Sequence, residues 1–541
     1  MPVRAPIFDF NEARSSVVSD VVRRVTSQIK NPELVLNEAA FLETRRLQHS
    51  GGSELSEWRA VASSLGRMSD AERKDKLRHY AERYAWDIAG NFNPRVFKFA
   101  TKALGPLLGA FMSPRQMLKN LPGSLDLAAL DSRIVIEGMH KTVAKLSELG
   151  TVVYVPTHLS NLDSIVFGFA LERAGLAPAT YGAGKNLFTN PVLSFFMHNL
   201  GAYRVDRRLR HSLYKDVLKA YSCVLIERGY DSLFFPGGTR SRSGGVERRL
   251  KLGLAGTGVE AYARTTENGK PQRVFFVPAT INYLLTLEAE TLIDDFLQEE
   301  GKARYIIEDD ESSRLARVLS FLNKFKGLDA ACVIRFSQPL DCFGNRVDDD
   351  GQSYDAQGRT VDTASYIEGP DGRPCFDPAR DAEYTRQLGE TIVQYYQKDT
   401  VLMATQVVAA AAFKRLEQGV GAGDLFALLR HRDDIKVRRD DLSADIDVLV
   451  AKARALEDAG KVRVAPFLRS NSGGAILASA LRAFAGYHTH PVLEPQGDEL
   501  VLSDTRLLFY YQNRLATLDG GALAVDHMAP KWAKASPRLV S

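Results

Sequence analysis

The amino-acid sequence predicts an α/β fold, a mixed sheet flanked by helices, with helical N-terminal and C-terminal regions. Two observations predict it. Between about Leu130 and Gln338, short β-branched or aromatic runs (TVVYVP, YDSLFFP, RVFFVPATI, ACVIRF) alternate with helical runs such as LRHSLYKDVLKAYSCVLIERG. Strands alternating with helices are the pattern of an α/β domain. On either side the text is helical, with charged segments that carry spaced apolar residues.

The 541 residues allow more than one domain. Residues 1–125 form a helical region, typified by SDAERKDKLRHYAERYAWDIAG with its spaced Leu, Tyr and Trp. Residues 126–343 are the α/β domain. Residues 344–381 read as an insertion loop rich in Asp and Gly; their spacing does not match an EF-hand, so turns rather than a calcium site are expected. Residues 382–541 are expected to be helical again, as in LGETIVQYYQ and SADIDVLVAKARALEDAG. The chain shows no internal repeat and no extended low-complexity tract.

Hydrophobic residues at 45% and charged residues at 25% are ordinary for a soluble protein. A net charge of +4 is too balanced to argue for nucleic acid, so any basic function must come from local clustering. The four cysteines are scattered without a CxxC pair, which suits a reducing compartment and argues against a disulfide framework or a zinc cage. The N-terminus lacks the apolar core of a signal peptide. No apolar run reaches the roughly 18 residues that span a bilayer. VFKFATKALGPLLGAFM (Val96 to Met112) is broken by Lys98, Lys102 and Pro106. It suits a helix lying in a membrane interface, and equally a half-buried helix packed on another domain.

The chemistry is expected at VPTHLSNLDS, Val155 to Ser164, where a strand-like run ends in a histidine and an aspartate follows five positions later. In α/β sheets, functional residues gather where strands end and helices begin. Ser160 or Asn161 would cap the following helix, with Asp163 in its first turn, where the dipole favours a carboxylate. Folded back, Asp163 would fix the tautomer of His158, leave its other ring nitrogen as a base, and stabilise the imidazolium that forms. By itself this spacing arises by chance in many chains. Further along come AGKNLFTNPVLSFFMHNLGAYRVDRRL (Ala183 to Leu209), FFPGGTRSRSG (Phe234 to Gly244) and VFFVPATINY (Val274 to Tyr283).

Together with THLSNLDSIVFGFAL, these segments resemble the four ordered blocks of the glycerolipid acyltransferase superfamily. More narrowly they are similar to glycerol-3-phosphate acyltransferases of the bacterial and mitochondrial kind. ACVIRFSQPL and TVLMATQVVAAAAFKRL extend the resemblance to about Leu416. It implies the fold of that superfamily for residues 126–343, with His158 as general base and Asp163 as its partner. An acceptor hydroxyl would attack an acyl thioester, coenzyme A or carrier protein, with no acyl-enzyme, no metal and no further cofactor. Arg207, Gly238, Thr239, Arg240 and Ser241 would hold the phosphate of glycerol 3-phosphate. Lys185, Asn186 and Arg242 would support them, and Pro278 would shape a pocket. Arginine suits phosphate because its planar fork meets two oxygens at once. Arg204, Arg208, Arg248, Arg249 and Lys251 would deepen the positive field.

Two positions depart from the family pattern. Gly237 stands where the third block has a glutamate, and Arg204 where the second has an apolar aromatic residue. The expected product is lysophosphatidate, made peripherally at the cytoplasmic side of the inner membrane without a spanning helix. The alternatives are a lysophospholipid or other phosphorylated acceptor, an inactive membrane-associated relative, and a metal-dependent hydrolase with His158 and Asp163 as ligands. Other motifs are set aside: HRDD (His431 to Asp434) as a charged turn, GYHTHP as surface histidines, and GVGAGD as a flexible connection.

Overall fold

The computed structural model describes residues 6–50, 54–100, 134–300 apart from 186, 187, 189 and 190, then 332–420, 425–430, 435–485, 488 and 491–518. Four helices open the chain: α1 (Phe10–Gln28), α2 (Pro32–Ser50), α3 (Leu55–Ser64) and α4 (Asp70–Ile88). The last begins in a capping box, where Ser69 and Glu72 each satisfy the other's main-chain amide. Of the segment Val96 to Met112, only residues 96–100 are described, and they are helical; the remainder lies outside the described residues.

The alternating part of the sequence folds as β1 (Ile134–Gly138), α5 (His140–Leu149), β2 (Thr151–Pro156), α6 (Asp163–Arg173), β3 (Thr180–Gly184), α7 (Pro191–Asn199) and β4 (Ala202–Val205). It continues with α8 (Ser212–Glu227), β5 (Ser232–Leu233), α9 (Gly256–Glu267), β6 (Val274–Tyr283), α10 (Ala289–Glu300) and β7 (Cys332–Phe336). Strand β2 is parallel to β5 and β6, β3 is parallel to β4 and β5, and β6 is antiparallel to β7. The sheet is therefore mixed, as expected. Every residue of β2 and β6 is buried, which is why both read as unbroken apolar runs rather than alternation. Because β2, β3, β4 and β5 run parallel, their carboxyl ends share one edge, and the segments carrying His158, Lys185, Arg207 and Arg240 leave from it.

The expected insertion loop holds more structure than its composition suggests. It extends the sheet as a meander, β8 (Leu340–Asp341), β9 (Arg346–Val347), β10 (Ser353–Tyr354) and β11 (Thr360–Val361). The three turns are Asp341 to Gly344, Asp348 to Gly351 and Asp355 to Gly358, a D-x-x-G pattern recurring every seven residues. Each aspartate accepts two main-chain amides ahead of it, such as those of Asp350 and Gln352 for Asp348. Each glycine takes a positive φ of +77° to +91°. The aspartates make turns, as anticipated, but the sequence does contain a short repeat.

The C-terminal region is helical, with two small sheets that the sequence reading lacked. Its elements are α11 (Pro378–Asp399), β12 (Val401–Leu402), α12 (Ala404–Val420), α13 (Leu425–Arg430), β13 (Lys436–Arg438), α14 (Arg439–Asp458), β14 (Arg463–Val464) and α15 (Pro466–Ser470). Then come α16 (Gly473–Phe484), β15 (Leu493–Gln496), β16 (Glu499–Leu502) and α17 (Thr505–Ala516). The apolar run VLMATQVVAAAAF becomes β12 and α12, with α12 buried from Ala404 through Phe413 in the same core as the sheet. A second core joins α1 to α4 with one face of α8. Among the described residues, no helix is long and apolar enough to cross a membrane.

Candidate active site

The chain leaves β2 at Pro156, and the next turn brings His158 and Asp163 together: imidazole Nδ1 lies 2.8 Å from Asp163 Oδ2. The same oxygen accepts the main-chain amides of Leu159 (2.6 Å) and Ser160 (2.9 Å), and Oδ1 accepts the Tyr283 hydroxyl at 2.9 Å. Asp163 is the first residue of α6 and is fully buried. The expected cap differs: the N-cap is Leu162, with no side-chain cap, while Ser160 Oγ accepts the amide of Leu162. The carboxylate itself turns the loop, so a separate capping side chain is not needed. Burial and the adjacent carboxylate push the Tyr283 hydroxyl well above its ordinary value, so it stays a donor.

With Nδ1 committed to Asp163, the Nε2 of His158 is left for chemistry, and it has no hydrogen-bond partner among the described residues. The ring stacks on Phe235, centroids 4.1 Å apart. Its main chain is held by the loop after β5: the Ser241 amide donates to the His158 carbonyl at 2.8 Å, and the His158 amide donates to Glu247 Oε1 at 2.7 Å. The third block thus fixes the base directly.

The phosphate candidates converge in part. Burial, and then the charge of nearby Arg240, hold the Arg207 guanidinium below its ordinary value. Lys251 is pushed down by burial and by Arg207 and Arg242. Clustered cations of this kind gain most from a bound anion. Among the described residues Arg207 makes no ion pair or hydrogen bond, whereas Arg240 faces the buried Glu288 at 3.3 Å. Gly238, at φ +74°, lies beneath Lys251: an added Cβ would fall 2.5 Å from the lysine Cδ. Thr239 and Ser241 line a cavity of about 1020 Å³ with Arg240 and Glu247, and Ser241 Oγ donates to the Gly245 carbonyl at 2.7 Å.

The supporting residues divide. Lys185 is tied to Asp87 of α4 at 3.0 Å and to Asp206 at 3.7 Å, and Arg242 pairs with Glu299. Arg204, one of the two departures, pairs with Asp87 at 3.7 Å and lies over the Phe188 ring. Its charge is balanced within the protein rather than offered to a ligand. Asn186 lies outside the described residues. Pro278 is not at the end of its strand but within β6, buried, opposite Val155. It sits where β6 exchanges β8 for β7 as its neighbour, a place that needs no amide donor.

Tyr283, Glu247, Glu288 and Phe235 were not singled out from the sequence. Tyr283 closes the quoted run VFFVPATINY, so its place at a strand end was available as a signal; the two glutamates carry none. His488, expected at the surface, has a fully buried side chain whose Nε2 lies 3.0 Å from the Tyr511 hydroxyl; His490 and His431 to Asp434 lie outside the described residues. No group of three or more His, Cys, Asp or Glu suited to a metal occurs among the described residues.

Residues 134–282 match the family model described as Acyltransferase. A glycerol-3-phosphate acyltransferase of Pseudomonas paraeruginosa is 24% identical over 374 residues, 68% of this chain and 39% of that protein. Proteins of the same name from Pseudomonas fluorescens and Xanthomonas campestris are 26% and 27% identical over 270 and 277 residues, each covering 50% of this chain and 29% and 27% of their own length. The chain thus aligns with less than half the length of these relatives. The matched segment begins at β1 and ends in β6, so the part of the chain that is similar to the Acyltransferase family model encloses the His158–Asp163 pair and the arginine cluster.

Proposed function

We propose that the chain transfers a fatty acyl group from an acyl-coenzyme A or acyl-carrier-protein thioester to the sn-1 hydroxyl of glycerol 3-phosphate, giving lysophosphatidate. The observation that carries this reading is the buried-carboxylate-oriented His158 beside the cationic cluster of Arg207, Arg240 and Lys251. His158 Nε2 takes the proton of the acceptor hydroxyl as its oxygen forms a bond to the thioester carbonyl carbon. Collapse of the tetrahedral adduct breaks the carbon–sulfur bond, and the imidazolium returns the proton to the departing thiolate. A thiolate leaves readily, so the steps need neither an acyl-enzyme nor a metal. The cluster holds the phosphate, with Arg240 exchanging Glu288 for it. Acyl chain and product are amphiphilic, which places the reaction at the cytoplasmic surface of the inner membrane, the chain bound peripherally.

The test is acyl transfer by purified protein to labelled glycerol 3-phosphate, with palmitoyl-coenzyme A and a carrier-protein thioester in parallel. The native chain should form lysophosphatidate, and His158→Ala should lose roughly 10²–10⁴-fold in rate. Equal rates, or transfer only to a lysophospholipid acceptor, would overturn the reading.

A further inference from the structure

Glu247 lies in the loop between β5 and α9, in the stretch GVERRLK that follows the third block. One of its oxygens is used: Oε1 accepts the His158 amide at 2.7 Å. The other, Oε2, is buried and has no hydrogen-bond partner among the described residues. A buried carboxylate oxygen left unpaired is costly, and such an atom beside a base points to a missing partner. The cavity of about 1020 Å³ that Glu247 lines is shared with Gly237, Thr239, Arg240 and Ser241, so the missing partner would belong to whatever the arginine holds. Gly237 is the second observation. A Cβ added there would lie 3.3 Å from Glu247 Cγ and 3.4 Å from its Oε1, so the glutamate occupies the space a side chain at 237 would enter. Position 237 is where the third block departs from its pattern. The carboxylate lost from one limb of the loop is present on the other.

We propose that Glu247 is an acceptor-binding residue, its Oε2 accepting a hydrogen bond from the acceptor's non-reacting hydroxyl while its Oε1 steadies the main chain of His158. This rests on the reading of the chain as a transferase to a phosphorylated polyol and adds the group that would recognise the polyol end. Arginines neutralise phosphate but have no acceptor atom, so they cannot take a hydroxyl proton. Two other buried carboxylates lie nearby: Asp163 is taken up by four partners, and Glu288 meets Arg240 and the Asn161 amide (3.0 Å) through Oε1, its own unpaired Oε2 belonging to a side chain outside the lining of this cavity.

Calorimetric binding of glycerol 3-phosphate and of inorganic phosphate, together with steady-state kinetics, would test the proposal on the full chain. Glu247→Gln keeps the size and one acceptor oxygen for the His158 amide. It should weaken glycerol 3-phosphate binding and raise its KM by about 10- to 100-fold, the loss of a charge-assisted hydrogen bond. Phosphate affinity and the KM for the thioester should not move. Gly237→Glu alone should also lose activity, because two carboxylates would crowd one space. Gly237→Glu combined with Glu247→Ala should recover part of what Glu247→Ala loses. Unchanged glycerol 3-phosphate affinity in Glu247→Gln, or equal loss of glycerol 3-phosphate and phosphate affinity, would overturn the proposal. If the native chain binds glycerol 3-phosphate but never acylates it, the transferase reading falls, and the binding comparison still decides the role of Glu247. If it binds none, both fall.

Discussion

Asp163 receives four hydrogen bonds on two oxygens, from His158 Nδ1, two main-chain amides and the Tyr283 hydroxyl. All four partners donate, which only an ionised carboxylate can satisfy throughout. Asp163→Asn replaces one oxygen with an NH2 group, which must face a donor or turn the imidazole into the wrong tautomer. The expected loss of acyl transfer is about 10²–10⁴-fold, with a lowered melting temperature. Tyr283→Phe removes one donor and leaves the His158 contact in place. It should destabilise by about 1–3 kcal/mol and reduce transfer less than about tenfold. Thermal melting and kinetics on both variants separate holding the loop from orienting the base; similar rate losses in the two would contradict this division. The numbering that brings His158 and Asp163 together was legible because five residues of strand exit and helix entry are local. Tyr283 sits 120 residues away, and only the pairing of β2 with β6 brings it there.

At the scale of elements, α17 is the piece whose role the sequence concealed. It grips the loop that carries Arg240 from a separation of about 270 residues: Asn513 Nδ2 donates to the Ser243 carbonyl at 2.9 Å, and Thr517 Oγ1 accepts the Val246 amide at 3.0 Å. Arg514 is buried beneath the same loop, close to Glu247 and Asp163, and donates to main-chain oxygens including that of Gly245 at 3.4 Å. The tightest point is Gly244, at φ +80°, where an added Cβ would lie 2.2 Å from the Tyr510 carbonyl oxygen. Gly244→Ala should therefore part α17 from the loop, costing about 2 kcal/mol or more in stability and lowering transfer with it. Gly168→Ala, in α6 with nothing within 4 Å, is the control and should be neutral or slightly stabilising. Urea unfolding of both variants decides; a benign Gly244→Ala would mean that α17 does not hold the loop. The helices of the α/β domain were readable by their period, and its buried strands β2 and β6 as unbroken apolar runs. The meander was not, since strands of two residues show no alternation and its regularity lies in D-x-x-G turns. Glu247 and Glu288 were not readable either: what marks them is burial and an unpaired oxygen, and neither has a sequence pattern.

Among the described residues the two large cores are one shared by the α/β and C-terminal regions and one between α8 and the N-terminal helices. His211 sits at the second junction. It caps α8, its Nδ1 accepting the Tyr214 amide at 3.2 Å, and it is fully buried against the Tyr84 ring, centroids 5.3 Å apart. Burial, with help from the Arg46 and Lys215 charges and against that of Glu38, pushes its imidazole down from 6.5 to about 4. The sign follows from proton counting. Between these values the unfolded chain binds a proton that the folded chain excludes, so this contribution to stability is complete above about pH 6.5 and is lost as the pH falls towards 4. Asp231 titrates over the same interval with the opposite sign, its carboxyl pushed up by burial from 3.8 to about 7, so that folding there favours the protonated form and stability is lost as the pH rises. The two offset each other in the native chain, and a variant is needed to expose either. His211→Asn is suitable because asparagine caps a helix as well and does not titrate. The advantage of the native chain over His211→Asn should shrink by about 2 kcal/mol between pH 7 and pH 5, read from urea unfolding followed by a probe in the N-terminal helices. A pH-independent difference would mean that His211 binds its proton equally in the folded and unfolded chain, and that burial at the joint between the helical bundle and the sheet does not disfavour the imidazolium.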